Sequence, residues 1–164
     1  MAVNSGPLGG GGTPGTACAP APLSGEVTDG LTVFQNSSSE PVTIERVRLS
    51  NSQGLTLVGS LLVPTSGNSL GVEGDYPPQR ATMLAGIRWT DRVNAAGAIV
   101  PPSRPGTFEN LAVGLRLDPG RASGKLSGVE VFYKDSSGGQ YEVLTGIAFV
   151  IDGPTQSCKK VLGF

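Results

Sequence analysis

Histidine is absent from the sequence, cysteine occurs only twice, and aromatic residues make up only 5% of the 164 positions. Without histidine the chain has no Ser-His-Asp or Cys-His nucleophile arrangement, no histidine-ligated zinc and no usual proton shuttle near neutral pH. Two cysteines are too few for a thiolate-only zinc site or an iron–sulfur cluster. We therefore expect a noncatalytic protein that carries no cofactor.

Charge is also scarce, because charged residues account for 15% of the chain and the formal net charge is −1. A balance this close to neutral gives no electrostatic footprint for nucleic acid or for anionic lipid. No stretch reaches the roughly 18 apolar residues that a membrane-spanning helix requires. The composition thus predicts neither nucleic-acid binding nor a membrane span.

The first 24 residues carry no charge and are rich in Gly, Pro, Ala, Ser and Thr. They lack the basic start and the apolar core of a signal peptide. Tracts of this kind often follow a signal sequence in exported proteins. We expect a flexible Gly/Pro-rich segment over 1–24, a folded domain over 25–158 and a short tail over 159–164.

The two cysteines bracket the region that is expected to fold. Cys18 precedes the first strand-like segment, and Cys158 follows the last one. A disulfide between them would tie the two ends of the domain together and contribute up to about 5 kcal/mol to the free energy of unfolding. The alternative is two unpaired thiols in a cytosolic protein. The disulfide is the favoured interpretation, and it places the chain outside the cell or in the cell envelope.

Apolar residues recur at every second position or in short runs between turn residues, which is typical of strands. Leu111, Val113, Leu115 and Leu117 share one face in this way, and the phase of the pattern changes near Glu45, which indicates a β-bulge. We expect a strand over 83–89 and long connections over 64–82 and 90–107. The pattern predicts an all-β fold, an antiparallel β-sandwich of about seven to nine strands with long loops.

Three stretches carry a resemblance to a known class of domain. They are VFQNSSSEPVTIERVRLSNSQGLTLVGSLLVP (33–64), NLAVGLRLDPG (110–120) and GVEVFYKDSSGGQYEV (128–143). The chain resembles exported Ig-like domains of uncharacterised actinobacterial envelope and secreted proteins over roughly residues 25–151. The resemblance implies an Ig-like β-sandwich and export, and it carries no catalytic fingerprint. The chain departs from antibody domains because its two cysteines bracket the domain instead of bridging two central strands.

Two small groups of residues are candidate sites. Arg88, Trp89 and Arg92 combine cations with the only tryptophan, a pairing that is enriched at binding hot spots for protein and glycan partners. The competing interpretation places Trp89 in the core with the charges at its rim. Glu73 and Asp75 offer carboxylates two positions apart in a Gly-rich loop, but a calcium loop supplies more ligands than two. We expect them to be solvated loop charges and predict no metal.

Two functions remain. The first is a noncatalytic, exported, surface- or envelope-associated domain that binds a protein or glycan partner. The alternative is a structural subunit of a multimeric assembly, such as a surface layer or a particle, held together by an edge strand or by the terminal segments.

Overall fold

The computed structural model describes residues 2–3, 5–10, 14–22, 25–153 and 158. The expected tail over 159–164 lies outside these residues. The described residues form fourteen strands and two short 3₁₀ helices, η1 (Gln79–Met83) and η2 (Trp89–Asp91). The strands are β1 (Ala2–Val3), β2 (Leu8–Gly10), β3 (Gly15–Pro20), β4 (Glu26–Asn36), β5 (Val42–Ser50), β6 (Leu55–Thr65), β7 (Gly71–Glu73), β8 (Val93–Asn94), β9 (Ile99–Val100), β10 (Phe108–Leu117), β11 (Ser123–Leu126), β12 (Gly128–Lys134), β13 (Gln140–Leu144) and β14 (Ile147–Asp152).

The strand order of the two main sheets confirms the predicted Ig-like sandwich. One sheet has the order β2-β4-β10-β6-β8, with β7 paired to β4, and the other has the order β1-β13-β12-β5-β9. The constant-type Ig fold places strands A, B, E and D in one sheet and C, F and G in the other. Strands β2, β4, β10 and β6 take the first four positions, and β5, β12 and β13 take the other three. The strand count exceeds seven to nine because the loops and the N-terminal segment add short strands.

A third sheet extends the sandwich at one end and has the order β11-β14-β3. Strand β11 leads into β12 and β14 follows β13, so β11 and β14 continue the hairpin of β12 and β13. Strand β3 pairs with β14 in parallel over six residue pairs, from Gly15 opposite Ile147 to Pro20 opposite Asp152. This pairing brings Cys18 to the C-terminal end of the domain.

The N-terminal segment is where the structure differs most from the sequence-based expectation. Its Gly/Pro-rich composition predicts flexibility, whereas its described residues form β1, β2 and β3, each paired with a strand of the domain. Leu8 is 2% exposed, and its backbone N–H donates a hydrogen bond to the buried Tyr133 hydroxyl at 3.2 Å. Ala19 is also buried. Main-chain pairing holds this segment, together with Leu8 and the alternating Ala17, Ala19 and Ala21, which pack on the core. Such small side chains within a Gly/Pro-rich tract give only a weak strand pattern in the sequence.

The core lies between the two main sheets, and its residues are those that the alternation predicts. Leu111, Val113 and Leu115 of β10 all face it and are 1% exposed or less. The largest fully buried side chains are Tyr133, Phe34, Phe149, Ile44, Leu62, Leu111, Leu115 and Ile151. Burying large apolar side chains such as these contributes about 1.5–3 kcal/mol each. Three of the nine aromatic residues, Phe34, Tyr133 and Phe149, are fully buried in this core.

The predicted bulge in β5 is present. Arg46 pairs with Phe132 and Ile44 with Tyr133, so Glu45 has no partner of its own on β12. The extra residue turns Ile44 inward on one side of the bulge and Val47 inward on the other.

No helix among the described residues combines the length and the apolar character needed to cross a membrane.

Candidate functional site

The outer face of the sheet that contains β6 and β10 is covered by the chain between these two strands. A second apolar cluster lies there, separate from the main core, and consists of Val63, Leu70, Ala81, Trp89 and Ala112, with Leu61, Leu84 and Ile87 packed against it. The segment 66–92 is thus a packed layer that covers the sheet. The predicted strand over 83–89 is wrong, because these residues lie between and within η1 and η2 and pair with the sheet at a single bridge, Ile87 to Thr65. Leu84, Ile87 and Trp89 instead pack on the outer face of the sheet.

Asn110 anchors this layer to the sheet. Its side chain is fully buried, and Oδ1 accepts a hydrogen bond of 2.7 Å from the backbone N–H of Leu70. Its Nδ2 donates to the carbonyl oxygens of Gly30 and Thr32 on the neighbouring strand. One amide side chain therefore joins β10, β4 and the start of the covering layer, satisfying backbone groups that would otherwise be buried without partners.

Tyr76 fixes the layer at a second point. Gly59 and Gly114 lie opposite each other on β6 and β10, and a Cβ built on either one would lie 2.7 or 2.6 Å from atoms of the Tyr76 side chain. The two glycines therefore form a slot for the ring. Glycine within a strand often marks a position where another group approaches the backbone closely.

Trp89 is buried in this second cluster and is only 8% exposed. The Arg92 guanidinium lies 4.7 Å from the centroid of the indole, and Nη1 donates to the Trp89 carbonyl oxygen at 3.0 Å. Arg88 instead points away, with a 65% exposed side chain 3.8 Å from the Asp91 carboxylate. An ion pair this exposed is weak. The burial of Trp89, with both arginines exposed at its rim, supports the core interpretation of Trp89.

A surface cleft of about 320 Å³ lies beside Arg88, at the end of the sandwich where β4 ends and β10 begins. Its charged lining residues are Arg88, Arg104 and Glu109, its apolar ones are Phe34, Val100, Pro101, Pro102 and Phe108, and Ser103 and Thr107 contribute hydroxyl-bearing side chains. We call this the Arg88 cleft. Five lining residues are apolar and five are polar or charged, and the volume lies at the lower end of the range for small ligand sites.

The wall of the cleft formed by residues 100–104 is held by Asn36 at the end of β4. The backbone N–H of Ser103 donates to the Asn36 carbonyl at 2.9 Å, and the Asn36 N–H donates to Ser103 Oγ at 2.7 Å. Nδ2 of Asn36 donates to the carbonyls of Val100 and Glu40 at 3.1 and 2.8 Å. Three of these hydrogen bonds therefore fix the wall to the sandwich, although it has little secondary structure, and the bond to Glu40 holds Asn36 itself in place.

Glu109 is the most perturbed group of the cleft. It occurs two positions before Leu111 on β10 and so shares the inward-facing side, at the end where the sandwich opens. Burial raises the pKa of Glu109 to about 7, and the nearby Arg88 guanidinium opposes part of that rise. Perturbed carboxyl groups in clefts are frequent at functional sites. With a pKa near 7, the Glu109 carboxyl group is partly protonated at neutral pH, so it can either accept or donate a hydrogen bond.

The weak cation candidates do not come together as a site. Asp75 Oδ2 accepts a hydrogen bond from the Gln79 backbone N–H at the start of η1, and the Asp75 carbonyl accepts one from Thr28 Oγ1. Glu73 lies in β7, paired with Thr28. Among the described residues, no group of three potential metal ligands includes Glu73 or Asp75. Asp75 instead holds the turn that leads into η1.

The predicted disulfide is present. Cys18 of β3 and Cys158 are joined, with their Cα atoms 5.7 Å apart and a sequence separation of 140 positions. The bond therefore ties the N-terminal segment to the end of the domain, as the bracketing positions suggest.

Sequence reasoning found Arg88 but missed Arg104 and Glu109, which share its cleft. Glu109 does carry a signal, because a carboxylate in phase with the core residues Leu111 and Val113 occupies an inward position. Arg104 carries none, since its place depends on how Asn36 holds a loop 67 positions away in the sequence.

The chain matches no protein-family model and no curated protein sequence. Among solved structures it is similar to the ASH/PapD-like domain 7 of human CEP192, with 10% identity, 92% of this chain and 87% of that chain covered, and a TM-score of 0.43. It is also similar to CfaE, the adhesive subunit of the CFA/I fimbria of enterotoxigenic Escherichia coli, with 13% identity, coverage of 84% and 45%, and a TM-score of 0.34. The chain spans less than half the length of that adhesin.

Proposed function

We propose that the chain is a noncatalytic, exported Ig-like domain that binds a protein or glycan partner through the Arg88 cleft. One observation carries the proposal: a cleft at the end of a rigid sandwich brings two arginines and one half-buried glutamate together against apolar walls. Arginine is enriched at binding hot spots because its planar head donates several hydrogen bonds while its stem packs on apolar groups.

Both walls of the cleft are held by packed or hydrogen-bonded residues, which favours binding by a preformed surface. Asn36 holds one wall, and the packed layer that contains Trp89 carries Arg88 on the other. A site built on rigid elements loses less conformational entropy when a partner binds. The disulfide supports export, because such bonds persist in oxidising compartments.

The test is a parallel screen of the folded protein against a glycan array and a peptide array. The wild type is compared with the double variant Arg88→Ala/Arg104→Ala and with Arg121→Ala, an exposed arginine outside the cleft. We expect specific probes that bind the wild type and Arg121→Ala but not the double variant. The absence of any bound probe, or equal binding by all three proteins, would overturn the proposal.

A second function, assembly through edge strands, is favoured by two exposed apolar residues. Val93 of β8 is 50% exposed and Ile99 of β9 is 65% exposed, and each lies on a two-residue strand at the edge of a main sheet. Exposed edges can pair with another chain. Light scattering at increasing concentration tests this: a multimer that Ile99→Lys dissociates supports assembly, and a monomer throughout argues against it.

A further inference from the structure

The carboxylate of Asp152 is buried beside the disulfide without a full set of hydrogen bonds from the described residues. Asp152 is 1% exposed, and its Oδ1 has no hydrogen-bond partner among the described residues. Its Oδ2 lies 3.7 Å from Sγ of Cys18, and the sulfur of a disulfide has no proton to donate. A buried carboxylate is costly unless hydrogen bonds or a cation compensate for its lost hydration. The residues that the structure describes provide Oδ1 with neither.

The strand pairing explains why these groups meet. Cys18 lies opposite Val150 and Pro20 opposite Asp152 in the parallel pair of β3 and β14, whereas Phe149 and Ile151 face the core. Cys18 and Asp152 therefore project from the other face of this small sheet, where Cys158 completes the group. The two sulfur atoms and one carboxylate oxygen all lie within 4.8 Å of one another.

We propose that, once the disulfide is reduced, Cys18, Cys158 and Asp152 bind a thiophilic divalent cation such as zinc. Two thiolates and one carboxylate are ordinary zinc ligands, and water supplies the fourth position of a tetrahedral site. The bound cation would neutralise the buried carboxylate, which the closed disulfide leaves without compensation. The same three residues thus form a covalent link in the oxidised chain and a cation site in the reduced one.

The conversion balances with a dithiol as the reductant. The dithiol gives two electrons and two protons to the S–S bond, is itself oxidised to a disulfide, and leaves two thiols on the chain. Binding of the cation then releases both thiol protons to the buffer, because thiolates are the ligands. Cation binding therefore tightens as pH rises.

Cadmium and zinc serve as probes of the intact chain. The protein is reduced with a phosphine, which becomes its oxide while water supplies the two protons, and is then desalted without oxygen. Addition of Cd²⁺ should produce a thiolate-to-cadmium charge-transfer absorption that saturates at one ion per chain. Addition of Zn²⁺ should raise the melting temperature of the reduced chain, or restore its fold if reduction unfolds it, because binding to the folded state is stabilising.

Four comparisons separate the site from nonspecific binding. The oxidised protein and Cys18→Ser should show neither effect. Asp152→Asn should bind cadmium about tenfold more weakly or worse, since even supporting groups of a metal site are worth that much. Asp29→Asn, which changes a buried aspartate on β4, should bind as the wild type does. Saturation by the reduced wild type and Asp152→Asn with equal affinity, or no response of the reduced wild type, would overturn the proposal.

Discussion

The backbone N–H of Leu70 donates a hydrogen bond of 2.7 Å to Oδ1 of Asn110, which lies 40 positions later in the sequence. This bond fixes the start of the segment that covers the outer face of β6 and β10. The same segment buries Trp89 and leaves Arg88 at the rim of the cleft. The position of Arg88 therefore depends on a buried amide that follows Glu109 on β10 but does not itself line the cleft.

Replacing Asn110 should be costly. Asn110→Ala removes one acceptor and one bifurcated donor and leaves the Leu70 N–H and two carbonyls without their partner. Each unsatisfied buried group costs about 1–3 kcal/mol, so for three groups we expect a loss of at least about 3 kcal/mol in the free energy of unfolding. Urea denaturation measures it. Asn94→Ala, at an exposed position of β8, is the matched control and should change stability by less than about 0.5 kcal/mol.

Adding a methyl group to Gly114 should dislodge Tyr76. The Cβ of Gly114→Ala would lie 2.6 Å from the Tyr76 ring and 2.7 Å from Val58, closer than packed atoms approach. Overpacking of this kind costs about 1–3 kcal/mol. Gly74→Ala adds its methyl group to open space in the same covering segment and should be nearly neutral. Equal melting temperatures for the two variants would show that Tyr76 does not occupy the glycine slot.

Asp29 should make stability depend on pH. Burial raises the pKa of Asp29 from 3.8 to about 6, so the folded state holds a proton that the unfolded state has lost. The protonated carboxyl of Asp29 contributes up to about 3 kcal/mol to the free energy of unfolding. This contribution is fully present below about pH 4 and is lost as the pH rises through 6. Asp29→Asn cannot ionise, and its Oδ1 can still accept the Leu31 N–H.

The stability advantage of Asp29→Asn over the wild type should therefore be largest above pH 6 and should shrink toward pH 4. Urea denaturation of both proteins at a series of pH values measures the difference. An advantage of the same size at pH 4.5 and pH 7.5 would contradict the assignment of the raised pKa to Asp29.

Arg88 and Glu109 should interact electrostatically across the cleft. The Arg88 guanidinium holds the pKa of Glu109 below the value that burial alone would give. Arg88→Ala should therefore raise that pKa above about 7, whereas Arg121→Ala should leave it unchanged. Carboxyl-carbon NMR across a pH titration reports the value directly. A Glu109 pKa that falls in Arg88→Ala would show that the two groups do not face the same cleft.

Local pattern predicted the elements that depend on alternation. The inward face of β10, the bulge at Glu45 and the sandwich of antiparallel strands all follow from which apolar residues share a parity. The pattern misassigned residues 83–89, because the apolar side chains of Leu84, Ile87 and Trp89 cover the outer face of a sheet that the segment meets at one bridge only. It also missed the three N-terminal strands, whose pairing uses backbone groups that every sequence has.

The site was predictable only in part, for a related reason. Arg88 stands out in the sequence because it neighbours the only tryptophan, and the cysteines stand out because they bracket the domain. Arg104 and Asp152 become informative only through residues that are distant in sequence, Asn36 for the first and Cys18 for the second. Such contacts depend on the complete topology, which local periodicity does not specify.

The most direct test of binding through the Arg88 cleft is the affinity of the best array probe, measured by calorimetry on three proteins. The wild type and Arg121→Ala should bind it equally, and Arg88→Ala/Arg104→Ala should bind about tenfold more weakly or worse, as expected when hot-spot arginines are removed. Amide shifts on binding should be concentrated at residues 100–109 of the cleft. Affinities within twofold for all three proteins, with shifts elsewhere on the domain, would contradict the account.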